Sequence, residues 1–163
     1  MPLSVDHVGV VVDNLDKAVE WYVQAFQARV FWREDPTDVP PEIVALSGEP
    51  HVRLRGALLE LLGGTARFEL HQYFAPAGAD ATTRRTCDLG IGHIAFAADD
   101  IHAEYERLAA LGVRWCGKPH EITTGTLAGV VTAYGFDPFG TTLEICSMPE
   151  HLSGRSKGAS AAG

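Results

Sequence analysis

The sequence predicts an α+β protein built from two βαβββ modules. The main observation is an internal repeat, because residues 5–15 and residues 91–101 both have a histidine, then apolar or small residues, then an acidic and an aliphatic residue. In addition, both copies continue with an amphipathic stretch and end in a strand-like segment that carries one glutamate. A repeat of this kind indicates that one supersecondary unit occurs twice.

The helix of each module is predicted directly after its first strand. Apolar residues recur over Leu15–Phe26 in the first copy and over Ile101–Leu111 in the second, at spacings of three, four and seven. Those spacings place the apolar side chains on one face of an α-helix. Asn14 and Asp100 precede these stretches, where residues of their type cap a helix N-terminus.

Three further strands are predicted after each helix, because each copy has apolar and β-prone segments there. These segments are residues 28–33, 52–62 and 67–74 in the first copy, and residues 113–116, 129–136 and 142–146 in the second.

The domain organisation follows from these segments and from the proline-rich and polar stretches between them. We expect a single domain over residues 1–150, with modules at about 4–74 and 90–149, and a disordered tail at 151–163. Between the predicted strands of the first module, residues 35–50 are expected to form a loop with one helical turn at 42–46.

Composition excludes several classes of function. The formal charge of -8 argues against a nucleic-acid partner, because a phosphate backbone requires a basic surface. No apolar run approaches the roughly 20 residues of a membrane helix, and residues 1–6 do not begin a secretory signal. The three cysteines, Cys87, Cys116 and Cys146, show neither disulfide nor zinc-site spacing. We therefore expect a cytoplasmic protein without a membrane partner.

Four residues at matching places in the repeat are candidate metal ligands. His7 corresponds to His93, and Glu69 corresponds to Glu144. Two modules related by a two-fold axis would bring these imidazoles and carboxylates together. Nitrogen and oxygen ligands of this kind suit one divalent ion such as Mn, Fe, Co, Ni or Zn. On a six-coordinate ion, four protein ligands would leave two positions for a bidentate substrate.

The alternation of side chains along the strands is consistent with a site at these four residues. Gly9 and Ala95 each lie two residues after one of the histidines and share its face, which leaves space beside the imidazole. Along the strand of Glu69, the side chains that share its face are all polar. They include His71, which is an alternative to Glu69 as the fourth ligand or a neighbouring acid–base group.

Three segments carry a resemblance to a known family. Asp6–Val12, Gly92–Phe96 and Tyr134–Glu144 resemble motifs of the glyoxalase I, bleomycin-resistance and extradiol-dioxygenase superfamily, whose members are also called vicinal oxygen chelate proteins. The similarity covers residues 4–148 and is greatest to single-domain members similar to glyoxalase I and methylmalonyl-CoA epimerase. It implies paired βαβββ modules whose curved mixed sheet surrounds a metal, and a small-molecule substrate with two neighbouring oxygens. A homodimer is also expected.

The leading functional hypothesis is a metal-dependent isomerase, epimerase or lyase that acts on a small carbonyl compound. In this hypothesis the metal chelates an enediolate and a carboxylate moves the proton. Glu144 is the predicted catalytic carboxylate, and His71 is the second candidate for proton transfer.

Two alternative functions use the same residues differently. In a ring-cleaving Fe(II) dioxygenase, His7, His93 and Glu144 would form the facial triad, with Tyr134 and His71 as acid–base groups. In a non-catalytic protein that binds a drug or a metabolite, the ligand would bind without the metal.

Overall fold

The structure, a computed structural model, describes residues 4–35, 44, 47–49, 51–61, 66–79 and 85–152. The chain divides into two compact units, Met1–Thr83 and Arg84–Gly163, and each unit contains one copy of the repeat. The helices and strands are β1 (Val8–Val11), α1 (Leu15–Phe26), β2 (Arg29–Glu34), β3 (Arg53–Glu60), β4 (Arg67–Ala75), β5 (Ile94–Ala97), α2 (Ile101–Ala110), β6 (Arg114–Trp115), β7 (His120–Glu121), β8 (Val131–Phe136) and β9 (Thr142–Ser147).

Both units contain a mixed sheet with the same strand order. In the first unit the order is β1-β4-β3-β2, and β1 is parallel to β4 while the other neighbours are antiparallel. In the second unit the order is β5-β9-β8-β6, and β5 is parallel to β9 in the same way. The predicted α+β class and the two predicted βαβββ modules are therefore confirmed.

The edge strand of each sheet is irregular, whereas the sequence predicted one continuous strand after each helix. Strand β2 shifts register between Val30 and Trp32. In the second unit, both β6 and β7 pair with β8, so that one edge is divided into two short strands. Gly117 and Pro119 lie in the interruption, and proline has no N–H to donate to a neighbouring strand. This explains why the strand predicted at residues 113–116 is shorter than expected.

Each helix begins at the predicted cap. The side chain of Asn14 accepts a hydrogen bond from the backbone N–H of Lys17 at 3.1 Å. The Asp100 carboxylate accepts from the backbone N–H groups of His102 and Ala103 at 3.1 and 3.0 Å. These bonds satisfy N–H groups that have no partner within the helix, so the caps determine where each helix starts.

Each helix packs on one face of its own sheet and leaves the opposite face uncovered by that helix. Tyr22 of α1 is fully buried, and its ring lies 5.6 Å from the ring of Phe68 on β4. In the second unit Leu108 of α2 and Ile145 of β9 are both buried. Because side chains alternate along a strand, the neighbours Glu69 and Glu144 lie on the faces away from the helices.

Two predictions concern residues that the structure hardly describes. The helical turn predicted at residues 42–46 and the tail predicted at residues 151–163 fall mainly outside the described residues. Of the helices that the structure does describe, neither has the length and apolar character required to cross a membrane.

A tight turn built on Asp137 leads into the strand that carries Glu144. The carboxylate of Asp137 is buried and accepts hydrogen bonds from the backbone N–H groups of Phe139 and Thr141 at 2.9 and 2.8 Å. Gly140 in the same turn has a φ of 89°, a conformation that glycine adopts without strain. The Asp-Pro-Phe-Gly sequence is therefore a structural element that sets the start of β9.

We expect that Asp137→Ala lowers the free energy of unfolding by about 1–3 kcal/mol, because two backbone N–H groups lose their acceptor. Asp137→Asn retains an acceptor oxygen and should cost less. Urea denaturation of the three proteins measures the difference. An equal loss in both variants would contradict the role of the carboxylate oxygen as the acceptor in this turn.

Candidate functional site

Strand register places a histidine beside a glutamate in both units. His7 directly precedes β1, and Gly9 lies opposite Glu69 on the parallel strand β4. In the second unit His93 directly precedes β5, and Ala95 lies opposite Glu144 on β9. The offset between the histidine and the glutamate is therefore the same in both units, as the repeat predicted.

In the first unit, His7 lies between two carboxylates. Its Nε2 atom is 3.2 Å from Oε2 of Glu69, and its Nδ1 atom is 2.8 Å from Oδ2 of Asp6. The hydrogen bond with Asp6, together with the charge of Glu69, raises the pKa of His7. When Nδ1–H donates to Asp6, the lone pair of Nε2 points towards Glu69, which is the orientation found in many metal-binding histidines.

In the second unit, Glu144 contacts His93 and Thr132, and Tyr134 lies opposite it on β8. Its Oε2 atom is 3.0 Å from Nε2 of His93, and its Oε1 atom accepts a hydrogen bond from the Thr132 hydroxyl at 2.5 Å. Burial and the negative charge of Glu144 raise the pKa of Tyr134, which also shares a side-chain hydrogen bond with that carboxylate. The phenol therefore stays protonated at neutral pH.

The donor atoms in each unit have the spacing that a bound metal ion requires. Two ligand atoms bonded to one ion at about 2.1 Å and at right angles lie about 3.0 Å apart. The separations of 3.2 Å at His7 and 3.0 Å at His93 match this value. Within the described residues no three His, Cys, Asp or Glu side chains form a metal-binding group, and the His–Glu contact of each unit brings two such side chains together.

His71 also lies beside Glu69 in the first unit. Its Nε2 atom is 3.5 Å from Oε2 of Glu69, and it faces Gly56 across the strand pair. A side chain at Gly56 would approach the imidazole to 2.9 Å, so this glycine makes room for the ring. In the second unit the matching position is the buried Cys146. The choice between Glu69 and His71 as a ligand remains a prediction.

Thr132 and Asp6 are two residues of the site for which the sequence alone predicted no role. Thr132 lies two residues before Tyr134 on β8, so strand alternation places both hydroxyls on the face of Glu144. Asp6 adjoins His7 in the sequence, and its contact with Nδ1 could have been considered from that position alone. The contact between Thr132 and Glu144, in contrast, follows only from the pairing of β8 with β9.

Comparisons with known proteins agree with this architecture. Residues 4–145 match the family model of the Glyoxalase/Bleomycin resistance protein/Dioxygenase superfamily. A 2-epi-5-epi-valiolone epimerase from Actinomyces sp. is 32% identical over 158 residues, which cover 90% of this chain and 80% of that protein.

Two solved structures share the fold. A glyoxalase family protein from Bacillus cereus gives a TM-score of 0.77 at 20% identity, with 91% of this chain and 95% of that chain covered. A fosfomycin resistance protein from Listeria monocytogenes, solved with Mn(II) and sulfate, gives a TM-score of 0.60 at 18% identity, with 93% and 97% covered. The match to the family model and the duplicated module show that this chain belongs to the glyoxalase/bleomycin resistance protein/dioxygenase superfamily.

Proposed function

We propose that the protein is a metal-dependent epimerase that inverts the configuration at a carbon next to the carbonyl group of a small substrate. The observation that carries this proposal is the His–Glu pair at the same register in both units. The 32% identical relative, which is named as an epimerase, supports this choice over a lyase. Such a reaction removes a proton from the carbon and returns it to the other side.

The proposed ligands of one divalent metal ion are His7, Glu69, His93 and Glu144. Their equivalence in the repeat and the spacing of their donor atoms support this assignment. Two nitrogen and two oxygen donors suit Mn, Fe, Co, Ni or Zn. When bound, the ion would act as a Lewis acid on the carbonyl oxygen of the substrate and make the neighbouring C–H more acidic.

Glu144 is the proposed group that removes the proton. The Thr132 hydroxyl donates to one carboxylate oxygen at 2.5 Å, and Tyr134 lies opposite Glu144 on the neighbouring strand. The hydrogen bond from Thr132 orients Glu144, which proton transfer requires because the base must lie close to the C–H bond. His71 is proposed as the second proton-transfer group, and Gly56 gives its ring the necessary space.

Proton exchange with solvent tests the proposed function. The metal-loaded protein is incubated in D₂O with 2-epi-5-epi-valiolone and followed by NMR. We expect deuterium at the carbon next to the carbonyl, appearance of a second epimer, and loss of both after treatment with a chelator. Oxygen uptake with ring opening when a catechol and Fe(II) are supplied would support a dioxygenase instead, and binding without exchange or metal would support a binding protein.

A pair of substitutions separates Glu69 from His71. If Glu69 is a ligand, Glu69→Gln should weaken metal binding, because a neutral amide oxygen is a poorer donor than a carboxylate. His71→Ala should then retain the metal but change the pH dependence of the exchange rate. Metal analysis and pH–rate profiles of both variants decide between them. Loss of metal from His71→Ala, with metal retained in Glu69→Ala, would reverse the assignment.

We also propose that the chain forms a homodimer. The edge strand β2 exposes Val30 and Phe31, whose side chains are 43% and 52% accessible, and an exposed apolar edge favours association. Light scattering at micromolar concentration should give a mass of twice the 17.5 kDa of one chain. A mass of one chain would contradict the proposal.

A further inference from the structure

A row of three side chains crosses the sheet of each unit on the face that carries the glutamate. In the first unit the register joins Arg29 to Glu60 and Glu60 to Arg67. In the second unit it joins Arg114 to Phe136 and Phe136 to Thr142. Because Arg67 and Thr142 each lie two residues before the glutamate of their unit, the two rows are equivalent by position in the fold.

Both arginines of the first row are paired with one carboxylate of the protein. Glu60 forms ion pairs with Arg29 at 2.6 Å and with Arg67 at 3.7 Å. The guanidinium groups of this row therefore already have a carboxylate partner within the protein. A free anion would have to compete with Glu60 to bind there.

The second row has an arginine but no carboxylate. Phe136 occupies the position of Glu60, and the Arg114 guanidinium lies over its ring, with 4.6 Å from Cζ to the ring centroid. Among the residues that the structure describes, Arg114 has no carboxylate or hydrogen-bond partner. Because stacking uses the flat face of the guanidinium, the N–H groups at its edge stay available to donate.

The position of Arg114 fits a group that binds one end of the substrate. Arg114 lies two strands away from Glu144 and two residues further along the sheet. At about 4.8 Å between strands and about 3.3 Å per residue, the two Cα atoms are about 12 Å apart. Both side chains project from the same face of the sheet, so that a small molecule could contact both residues.

If the substrate carries an anionic group, the charge of the proposed metal site indicates that a separate cation binds that group. The proposed divalent ion and the carboxylates of Glu69 and Glu144 cancel formally, and the whole chain carries a charge of -8. Neither therefore supplies a net positive charge for an anionic group that is not bonded to the metal. The Arg114 guanidinium is then the group that could do so, since arginine matches carboxylate and phosphate with two parallel hydrogen bonds.

We infer that Arg114, supported by the ring of Phe136, binds a phosphate or carboxylate group, so that the proposed epimerase prefers an anionic carbonyl compound to a neutral one such as 2-epi-5-epi-valiolone. This inference rests on the proposed function for the identity of the reaction. The binding of the anionic group can be measured without any turnover.

The test compares three probes that differ in one group: dihydroxyacetone, dihydroxyacetone phosphate and hydroxypyruvate. Their affinities for the metal-loaded protein are measured by calorimetric titration. We expect at least one of the two anions to bind about 10- to 100-fold more tightly than dihydroxyacetone, as one or two charge-assisted hydrogen bonds would give. The anion that gains more identifies the group as phosphate or carboxylate.

Matched arginine variants show whether Arg114 is responsible. Arg114→Gln should abolish the preference for the anion, whereas Arg29→Gln, at the equivalent position of the first unit, should retain it. Both side chains are exposed, so neither substitution is expected to prevent folding. The preference should also weaken as the salt concentration rises.

The inference is overturned if no anionic probe binds more tightly than dihydroxyacetone, including the case in which none binds. It is also overturned if the preference persists in Arg114→Gln, since the anion would then bind elsewhere, for example at the metal. The two proposals can fail separately. If the preference for the anion depends on Arg114 but no substrate shows proton exchange, the anion site is supported and the epimerase proposal is rejected. If proton exchange occurs and is unchanged in Arg114→Gln, the epimerase proposal is supported and the anion site is rejected.

Discussion

Glu144→Gln is expected to reduce the rate of deuterium exchange by about 10²- to 10⁴-fold at saturating metal. Glutamine has nearly the shape of glutamate and can still accept the hydrogen bond that Thr132 donates at 2.5 Å. It cannot take up a proton, however. The loss therefore reports the missing base, provided that the metal content of the variant is measured and brought to that of the unmodified protein.

The control for this experiment is Glu121→Gln, because Glu121 is an exposed glutamate in the same unit. Its exchange rate should be unchanged. Thr132→Val should cause an intermediate loss, because it removes the hydrogen bond that orients Glu144 but leaves the base in place. If Glu144→Gln with full metal content retains the original rate, Glu144 is not the proton-transfer group.

The second large effect is expected from the two histidines. His7→Ala and His93→Ala should each weaken metal binding by more than about 100-fold. Loss of a residue that only hydrogen-bonds to a metal ligand costs about 10- to 100-fold in metal affinity, and loss of a ligand itself should cost more. Each substitution removes a nitrogen donor that lies 3.2 or 3.0 Å from its glutamate. Metal titration with the purified variants measures this loss, and circular dichroism shows whether the variants fold.

His102→Ala is the matched control, because His102 is exposed on α2 and has no counterpart in the repeat. It should bind metal as the unmodified protein does. The assignment of His7 and His93 as ligands fails if either of their alanine variants retains full affinity.

The repeat in the sequence predicted most of the fold. The starting residues of both helices and their caps were predicted correctly, because caps and helical spacing are local properties. The face shared by Glu69 and His71 was also predictable, because strand alternation has a fixed period. These features depend only on residues that are close in the sequence.

Features that depend on strand pairing could not be predicted in this way. Thr132 bonds to Glu144, twelve residues later, and this contact follows only from the register of β8 with β9. The room that Gly56 makes for His71 depends likewise on the pairing of β3 with β4. Sequence spacing limits which side chains share a face, but it does not say which residue of the next strand lies opposite.

The contrast between the two rows of side chains also required the structure. Arg29 and Arg114 are both arginines at the start of an edge strand, and the sequence alone does not separate them. Their neighbours Glu60 and Phe136 come from other strands, and these neighbours determine whether the guanidinium already has a carboxylate partner.

The central claim is that two equivalent His–Glu pairs bind one divalent ion, and the metal stoichiometry tests it most directly. Metal-free protein is titrated with Mn²⁺ or Zn²⁺, and the bound ion is counted per chain by elemental analysis. The account predicts one ion per chain, and loss of that ion from both His7→Ala and His93→Ala. Two ions per chain, or one ion that remains tightly bound in either variant, would contradict it.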